Sequence, residues 1–435
     1  MTDVKKIPHL KSISGEVRLP GSKSIANRAL LLAALAEGTT RISNLPIADD
    51  VQVLMRTLPS LGVAVRDQSD GVARFEVAGA AGPLPIRAGT INVENAGTAF
   101  RPLVAILAAG EGEFVVDGNA QMRARPIRDL VDGLRELGVD VACEANGCPP
   151  VRLKARGLPG GKVHMSGRVS SQYISAVLMA SPFARDADLE IELPEDPVSK
   201  PYIDLTIDMM ADFGVLVGRE GYRRFRTAAG QRYHSPGTYA VEGDASAATY
   251  FLGAGAISGQ GPVRVLGLNR HSRQGDVGFA ELVRDMGAAV TYGDDWIEVR
   301  GAAGKLRAID RDMNDMPDAA MTVAVLALFA DGESHLRNIA NLRVKESERI
   351  RGLRTELEKL GAIVREEHDA LHITPPAKFS PAKIATYRDH RMAMAFALAA
   401  FGAPIEIEDP GCVAKTYAHF FEDFLPLTTA HAISR

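Results

Sequence analysis

Residues 130–141 read LVDGLRELGVDV, and the same pattern occurs four more times: VLMRTLPSLGVAV at 53–65, LTIDMMADFGVLV at 205–217, FAELVRDMGAAV at 279–290 and LRTELEKLGAIV at 353–364. Each is an amphipathic stretch of helical period that ends on an apolar residue, followed by Gly and a short β-like run. Gly at that place reads as a helix C′ residue, because it enters the left-handed region without steric cost. The five glycines, Gly62, Gly138, Gly214, Gly287 and Gly361, are spaced by 76, 76, 73 and 74 residues. A fixed period of this kind marks an internal repeat.

A second marker keeps the period. Ala- and Leu-rich helices are expected to begin near Ser22, Asn95, Ser170, Asp244, Asp318 and Asp389, spaced by 73, 75, 74, 74 and 71 residues. Ser, Asn and Asp are favoured N-caps, since a side-chain oxygen accepts from a free backbone N–H. Runs such as RALLLAALA, AATYFLGAGAI, AMTVAVLALFA and RMAMAFALAAF are apolar nearly all round, which predicts buried helices, whereas the amphipathic set should lie outside. Each unit therefore reads buried helix, strand, surface helix, strand, turn, strand. Six units fit, the sixth ending in TYAHFFEDFLPL without its strand pair. Some 74 residues bury too little core to stand alone, so three units per globular half is the economical grouping.

The chain has 435 residues, 46% hydrophobic and 24% charged, with a net charge of −4. That suits a globular protein of two or three domains and does not suggest a nucleic-acid binder. Three cysteines, Cys143, Cys148 and Cys412, make no disulfide framework, fit a reducing compartment, and complete no zinc site. The first residues, MTDVKKIPHLKSISGEV, lack a signal-peptide core, and the apolar stretches are too short to span a bilayer. A cytoplasmic location with no membrane partner is expected.

Helix N-termini present unpaired N–H groups and a positive dipole end, and so bind anions. Here they also carry reactive side chains. The buried helices start with Lys23, Ser24 and Arg28; with Asn95, Gly97, Thr98 and Arg101; with Ser170, Ser171 and Gln172; with Asp318; and with Asp389, His390 and Arg391. The surface helices add Arg125, Ser199, Lys200, Tyr202, Lys345, Glu346, Arg349 and Lys415. Planar Arg forks match carboxylate and phosphate oxygens, so small polyanionic ligands are implied. Any one such charge is more often a solvated surface group; recurrence at equivalent points of a repeat, beside apolar helices, shifts the reading towards a site. Other chemistry fails on spacing: Gly15 and Gly21 miss the P-loop pattern, GAGAIS at 253–258 lacks the third dinucleotide-binding Gly, and HExxH and GxSxG are absent.

LPGSKSIANRALLLAALAEG, NAGTAFRPL, RPI, SSQYISAVLMASP, SKPYIDLTI, EGDASAATYFL, QGD, PDAAMTVAVLALFA, RVKESERI, YRDHRMAMAFAL and DPGCVAKTY, in this order from about residue 7 to 425, closely resemble the EPSP synthases, the 3-phosphoshikimate 1-carboxyvinyltransferases. The resemblance implies an α/β fold, a two-domain inverted α/β barrel-like arrangement of six βαβαββ repeats, three per domain. It places one domain at 21–240 and the other at 1–20 plus 241–435, with the active site in the cleft between them.

The implied reaction moves the carboxyvinyl group of phosphoenolpyruvate to the 5-hydroxyl of shikimate 3-phosphate, in the shikimate pathway to chorismate and the aromatic amino acids. By resemblance, Lys23, Gly97, Arg125, Gln172, Arg349, Arg391 and Lys415 hold phosphoenolpyruvate. Lys23, Ser24, Arg28, Ser170, Ser171, Gln172, Ser199, Asp318, Asn341 and Lys345 hold shikimate 3-phosphate. Asp318 resembles the acceptor of the hydroxyl proton and Glu346 the proton donor, with Lys23 able to share proton transfer. No metal or cofactor is implied, since the leaving group is on the substrate, and a monomer is expected. The family's herbicide, glyphosate, is expected to occupy the phosphoenolpyruvate site.

Ala26, Glu94 and Gln121 depart from the family's usual residues, and Glu94 is expected to point outward. The alternatives are the sister transferase acting on UDP-N-acetylglucosamine and a non-catalytic anion-binding homologue. The first places a Cys in a loop near Arg125, and none stands here between Met1 and Ala142. The second would tolerate loss of Lys23, Arg125, Asp318 or Glu346, and all are present.

Overall fold

All five repeat glycines have left-handed backbone, with φ between 82° and 107°. They follow the surface helices Asp49–Ser60, Arg128–Glu136, Lys200–Asp212, Phe279–Asp285 and Arg349–Lys359. Each ends in the same pair of bonds: after Arg128–Glu136, Gly138 N–H reaches Arg135 O at 2.8 Å and Val139 N–H reaches Leu134 O at 3.0 Å. This is the Schellman arrangement, which satisfies the last carbonyls and turns the chain into the next strand. A Cβ at these positions would carry the left-handed penalty, which explains Gly at every one.

The computed structural model describes residues 3–69, 74–301 and 304–430. Two compact units emerge, Met1–Pro20 with Glu242–Arg435, and Gly21–Val241. Val241 falls in the second unit rather than the first because its N–H bonds Ser43 O at 3.1 Å and its carbonyl accepts from Asn44 Nδ2 at 2.8 Å. Each unit has its own apolar core. The apolar helices form those cores: in Lys23–Leu35 every residue but Ser24 is buried. Ala245–Ser258 is buried from Ala245 through Ala256.

The repeats build small sheets of one topology. Strand Ala88–Asn92 pairs in parallel with Glu111–Asp117, which pairs antiparallel with Val151–Arg156, which in turn takes Asp140–Ala142. Along Val151–Arg156, Val151, Leu153 and Ala155 face the core while Arg152, Lys154 and Arg156 face solvent, the period-2 pattern of a half-buried strand. Two repeats borrow their opening strand from far along the chain: Thr238–Ala240 runs parallel to Thr39–Ser43, and Gly15–Arg18 parallel to Pro262–Leu266. The sixth repeat does obtain a further strand. The N-terminal strand Val4–Ile7 lies antiparallel to Ile405–Glu408, which itself pairs in parallel with Ala382–Ile384. Among the described residues no helix is long and apolar enough to cross a membrane.

The helix starts differ from expectation at two repeats. Ser170, Asp244 and Asp389 cap their helices through side-chain oxygens, and Ser22 stands at the N-cap without such a bond. Asn95 and Asp318 are not caps: the helices Gly97–Ala108 and Ala320–Leu326 take Ala96 and Ala319 there. Both polar side chains are instead directed to arginines.

Candidate active site

In the discontinuous unit the charged side chains gather on one guanidinium. Arg349 opens the helix Arg349–Lys359 and is 1% exposed. Its Nε donates to Asp389 Oδ2 at 2.8 Å, and its Nη1 to Asp318 Oδ1 at 2.9 Å. Its Nη2 donates to Glu346 Oε2 at 2.9 Å and to Asp389 Oδ1 at 3.2 Å. Burial works to lower the Arg349 pKa, but the charges of Asp389, Glu346 and Asp318 prevail and hold it above the ordinary value. A buried ion survives only with such pairing.

Asp318 carries the other side of the cluster. Arg391 Nη2 donates to its Oδ2 at 3.0 Å, and Lys345 Nζ lies 3.7 Å from Oδ1. Burial pushes its carboxyl up, but Arg391, Lys345 and Arg349 outweigh this and keep it well below the usual carboxylate range. Arg391 also reaches Tyr250 OH at 3.3 Å. Asp389 completes its shell with Ser347 Oγ at 2.9 Å and the Arg391 backbone N–H at 3.0 Å. Asn341 and Lys415 are buried in the turns Ala340–Val344 and Pro410–Lys415. Those turns pack on the helices that carry Arg349 and Arg391 respectively.

The continuous unit gathers a cationic set of its own. Lys23 lies at the first turn of its helix, buried, with Nζ 3.2 Å from Asp50 Oδ2. Arg28, one turn on, donates from Nε to Thr206 Oγ1 at 2.9 Å and from Nη1 to Ser24 O at 3.0 Å. Burial lowers Arg28 to about 10, so it stays cationic at neutral pH. Gly97 opens the second buried helix against two guanidinium groups: a Cβ there would stand 2.6 Å from Arg101 Nη1 and 2.8 Å from Arg125 Nη1. Arg125 Nη1 also donates to Asn95 Oδ1 at 3.4 Å. Asn27 Nδ2 ties the first helix to Thr98 Oγ1 at 2.6 Å.

At the third helix Ser170 Oγ accepts from Gln172 N–H at 3.2 Å, and Ser171 is buried. Among the described residues the buried Gln172 side-chain oxygen has no hydrogen-bond partner, and buried polar atoms of that kind call for an explanation. Ser199 is 2% exposed and left-handed, with φ 56°. Non-glycine residues held there cluster at functional sites. Glu94 does point outward: its carboxylate is exposed and pairs with Arg56 at 3.2 Å. Gln121 Oε1 accepts from Asn95 Nδ2 at 3.3 Å, so this untypical residue supports the loop.

The expected residues thus form two groups, one per unit. Sequence reasoning saw Asp389 only as a helix start, not as the main partner of Arg349. Asp50 was missed; an acid in the first turn of a surface helix carries no local sign that it faces a buried lysine. Among the described residues no group of three or more His, Cys, Asp or Glu is placed to hold a metal ion.

The family model described as EPSP synthase (3-phosphoshikimate 1-carboxyvinyltransferase) matches residues 7–424. The chain is 50% identical over 422 residues to a protein of Shewanella pealeana named 3-phosphoshikimate 1-carboxyvinyltransferase, covering 96% of this chain and 98% of that one. It is 52% identical over 428 residues to one of the same name from Burkholderia cenocepacia, with the same coverage. Its fold resembles the solved EPSP synthase of Acinetobacter baumannii, at a TM-score of 0.81, 25% identity and 99% coverage of both chains. It also resembles the enolpyruvyl transferase NikO of Streptomyces tendae at a TM-score of 0.80 and 20% identity, over 99% of this chain and 98% of that one, a likeness of fold. The chain belongs to the EPSP synthase (3-phosphoshikimate 1-carboxyvinyltransferase) family.

Proposed function

We propose that this protein transfers the carboxyvinyl group of phosphoenolpyruvate to the 5-hydroxyl of shikimate 3-phosphate and releases phosphate. The observation that carries the reading is the buried Arg349 holding Asp318 and Glu346 on one guanidinium. The reaction needs a base for the hydroxyl proton and an acid for the carbon, and two carboxyl groups held close together can supply both. C2 of phosphoenolpyruvate becomes electrophilic only when C3 is protonated. Glu346, protonated when the anionic donor offsets the guanidinium beside it, delivers that proton while Asp318 takes the proton of the 5-hydroxyl, whose oxygen bonds C2. The tetrahedral adduct then returns a methyl proton to Glu346 as its C–O bond to phosphate breaks, and the departing phosphate takes the proton held by Asp318.

Asp318 is ionised and ready to accept, but three cations make it a weak base. On this reading the donor's carboxylate and phosphate settle on Arg349, Arg391 and Lys415, with Lys23, Gly97, Arg125 and Gln172 also engaged. Their negative charge offsets the cations and raises the basicity of Asp318 when the donor is bound. Shikimate 3-phosphate is assigned to Lys23, Ser24, Arg28, Ser170, Ser171, Gln172, Ser199, Asp318, Asn341 and Lys345. The buried Gln172 oxygen and the cationic Arg28 support that assignment. We place the enzyme in the cytoplasm as a monomer.

The test is phosphate release by purified protein given both substrates, with each omitted in turn. Release only with both supports the reading, and none with both refutes it.

A further inference from the structure

Tyr387 and Arg388, directly before Asp389, are both left-handed, with φ 55° and 56°. Two successive non-glycine residues there are disfavoured, because Cβ crowds the following carbonyl. Such backbone persists only where its surroundings over-determine it. The surroundings here centre on Glu356, which lies two turns along the helix that Arg349 opens and is 0% exposed. Its Oε1 accepts from Tyr387 OH at 2.7 Å, and its Oε2 from the Ala385 backbone N–H at 3.0 Å and Lys359 Nζ at 2.6 Å. The Tyr387 ring lies over Gly352, where a Cβ would stand 3.4 Å from the ring. One helix therefore holds the same segment at both ends, Glu356 at residues 385 and 387, Arg349 at Asp389.

We infer that Glu356 is a positioning residue for the donor site, setting the 385–388 turn and through it the approach of Asp389 and Arg391 to Arg349 and Asp318. A buried carboxylate that served stability alone could pair with any neighbouring cation. Glu356 spends two of its three bonds on the strained turn that delivers the cluster. The inference rests on the proposed assignment of Arg349 and Arg391 to phosphoenolpyruvate.

The experiment compares full-length wild type with Glu356→Ala, Glu356→Gln and Tyr387→Phe, following phosphate release and thermal unfolding. Glu356→Ala is expected to raise the phosphoenolpyruvate KM about tenfold or more while the shikimate 3-phosphate KM stays within about twofold. Tyr387→Phe should raise the donor KM about threefold, and Glu356→Gln less than Glu356→Ala, since its amide oxygen still accepts. Should Glu356→Ala fail to fold, Tyr387→Phe, at a residue 44% exposed, keeps the test. Unchanged donor KM with a lowered melting temperature would show a purely structural role and overturn the inference, as would equal rises in both KM values. A wild type that released no phosphate would instead overturn the functional reading and this inference with it.

Discussion

Arg349 grips Asp389 at two points, Nε to Oδ2 at 2.8 Å and Nη2 to Oδ1 at 3.2 Å, with the Asp389 side chain fully buried and that of Arg349 1% exposed. The same guanidinium has a donor left for Asp318 and shares one with Glu346. A lysine ammonium is a single point on a flexible stem and cannot span three carboxylates. Arg349→Lys is therefore expected to lower kcat/KM for phosphoenolpyruvate by about 100-fold or more. It should also cost about 3 kcal/mol of stability by leaving buried carboxylates underpaired. Steady-state kinetics and urea unfolding measure both.

Gly97→Ala tests the donor pocket of the continuous unit. Its methyl would fall 2.6 Å from Arg101 Nη1 and 2.8 Å from Arg125 Nη1, so both guanidinium ends must move. They are the far ends of flexible side chains, so the protein should fold with little loss of stability. The expected outcome is a raised phosphoenolpyruvate KM and weaker inhibition by glyphosate, measured with phosphoenolpyruvate varied at fixed inhibitor. Parental values for both would show that Gly97 does not border the donor.

Asp318 gives a pH test with a definite sign. Burial pushes its carboxyl up, yet Arg391, Lys345 and Arg349 hold it well below the ordinary 3.8. A depressed folded pKa contributes stability that is fully present above the unfolded value and lost as pH falls through the folded one. Asp318→Asn should melt below the parent across pH 5–8, the gap closing only in acid below about 4. The same variant should lower kcat far more than it weakens donor binding; a change confined to the donor KM would contradict its role on the acceptor hydroxyl.

Asp276 should behave in the opposite sense. Burial, then the charge of Asp318, raises its carboxyl to about 6, while Arg391 and the Ser246 hydroxyl partly relieve it. Its Oδ1 is buried and has no hydrogen-bond partner among the described residues. A raised folded pKa contributes stability that is present below the unfolded value near 3.8 and lost as pH rises through about 6. At pH 7.5 the parent carries an ionised, poorly solvated carboxylate. Asp276→Asn is expected to be more stable there, by up to about 3 kcal/mol for a shift of about two units. The advantage should shrink between pH 6 and 4 in thermal melts. A gap independent of pH would show that the carboxyl does not titrate in this range.

The repeat, its surface helices and most of its buried-helix starts were legible in the amino-acid sequence, because each is written within a few residues. Gly at a helix C′, Ser or Asp at an N-cap and an all-round apolar helix act through local backbone conformation and through the side chains' own need for burial. Gly62, Gly138, Gly214, Gly287 and Gly361 could be read for that reason. The partners of the buried charges were not legible. Asp318 and Asn95 carry cap residue types, yet serve Arg349, Arg391 and Arg125 instead of a helix end. Lys23 meets Asp50, Glu356 holds the turn before Asp389, and Val4–Ile7 pairs with a strand some 400 residues away. Each is a pairing between distant segments, set by which donors and acceptors packing removes from water together. A buried polar group must find its partner among whatever the fold brings alongside, so tertiary structure alone decided the charge network of the candidate site.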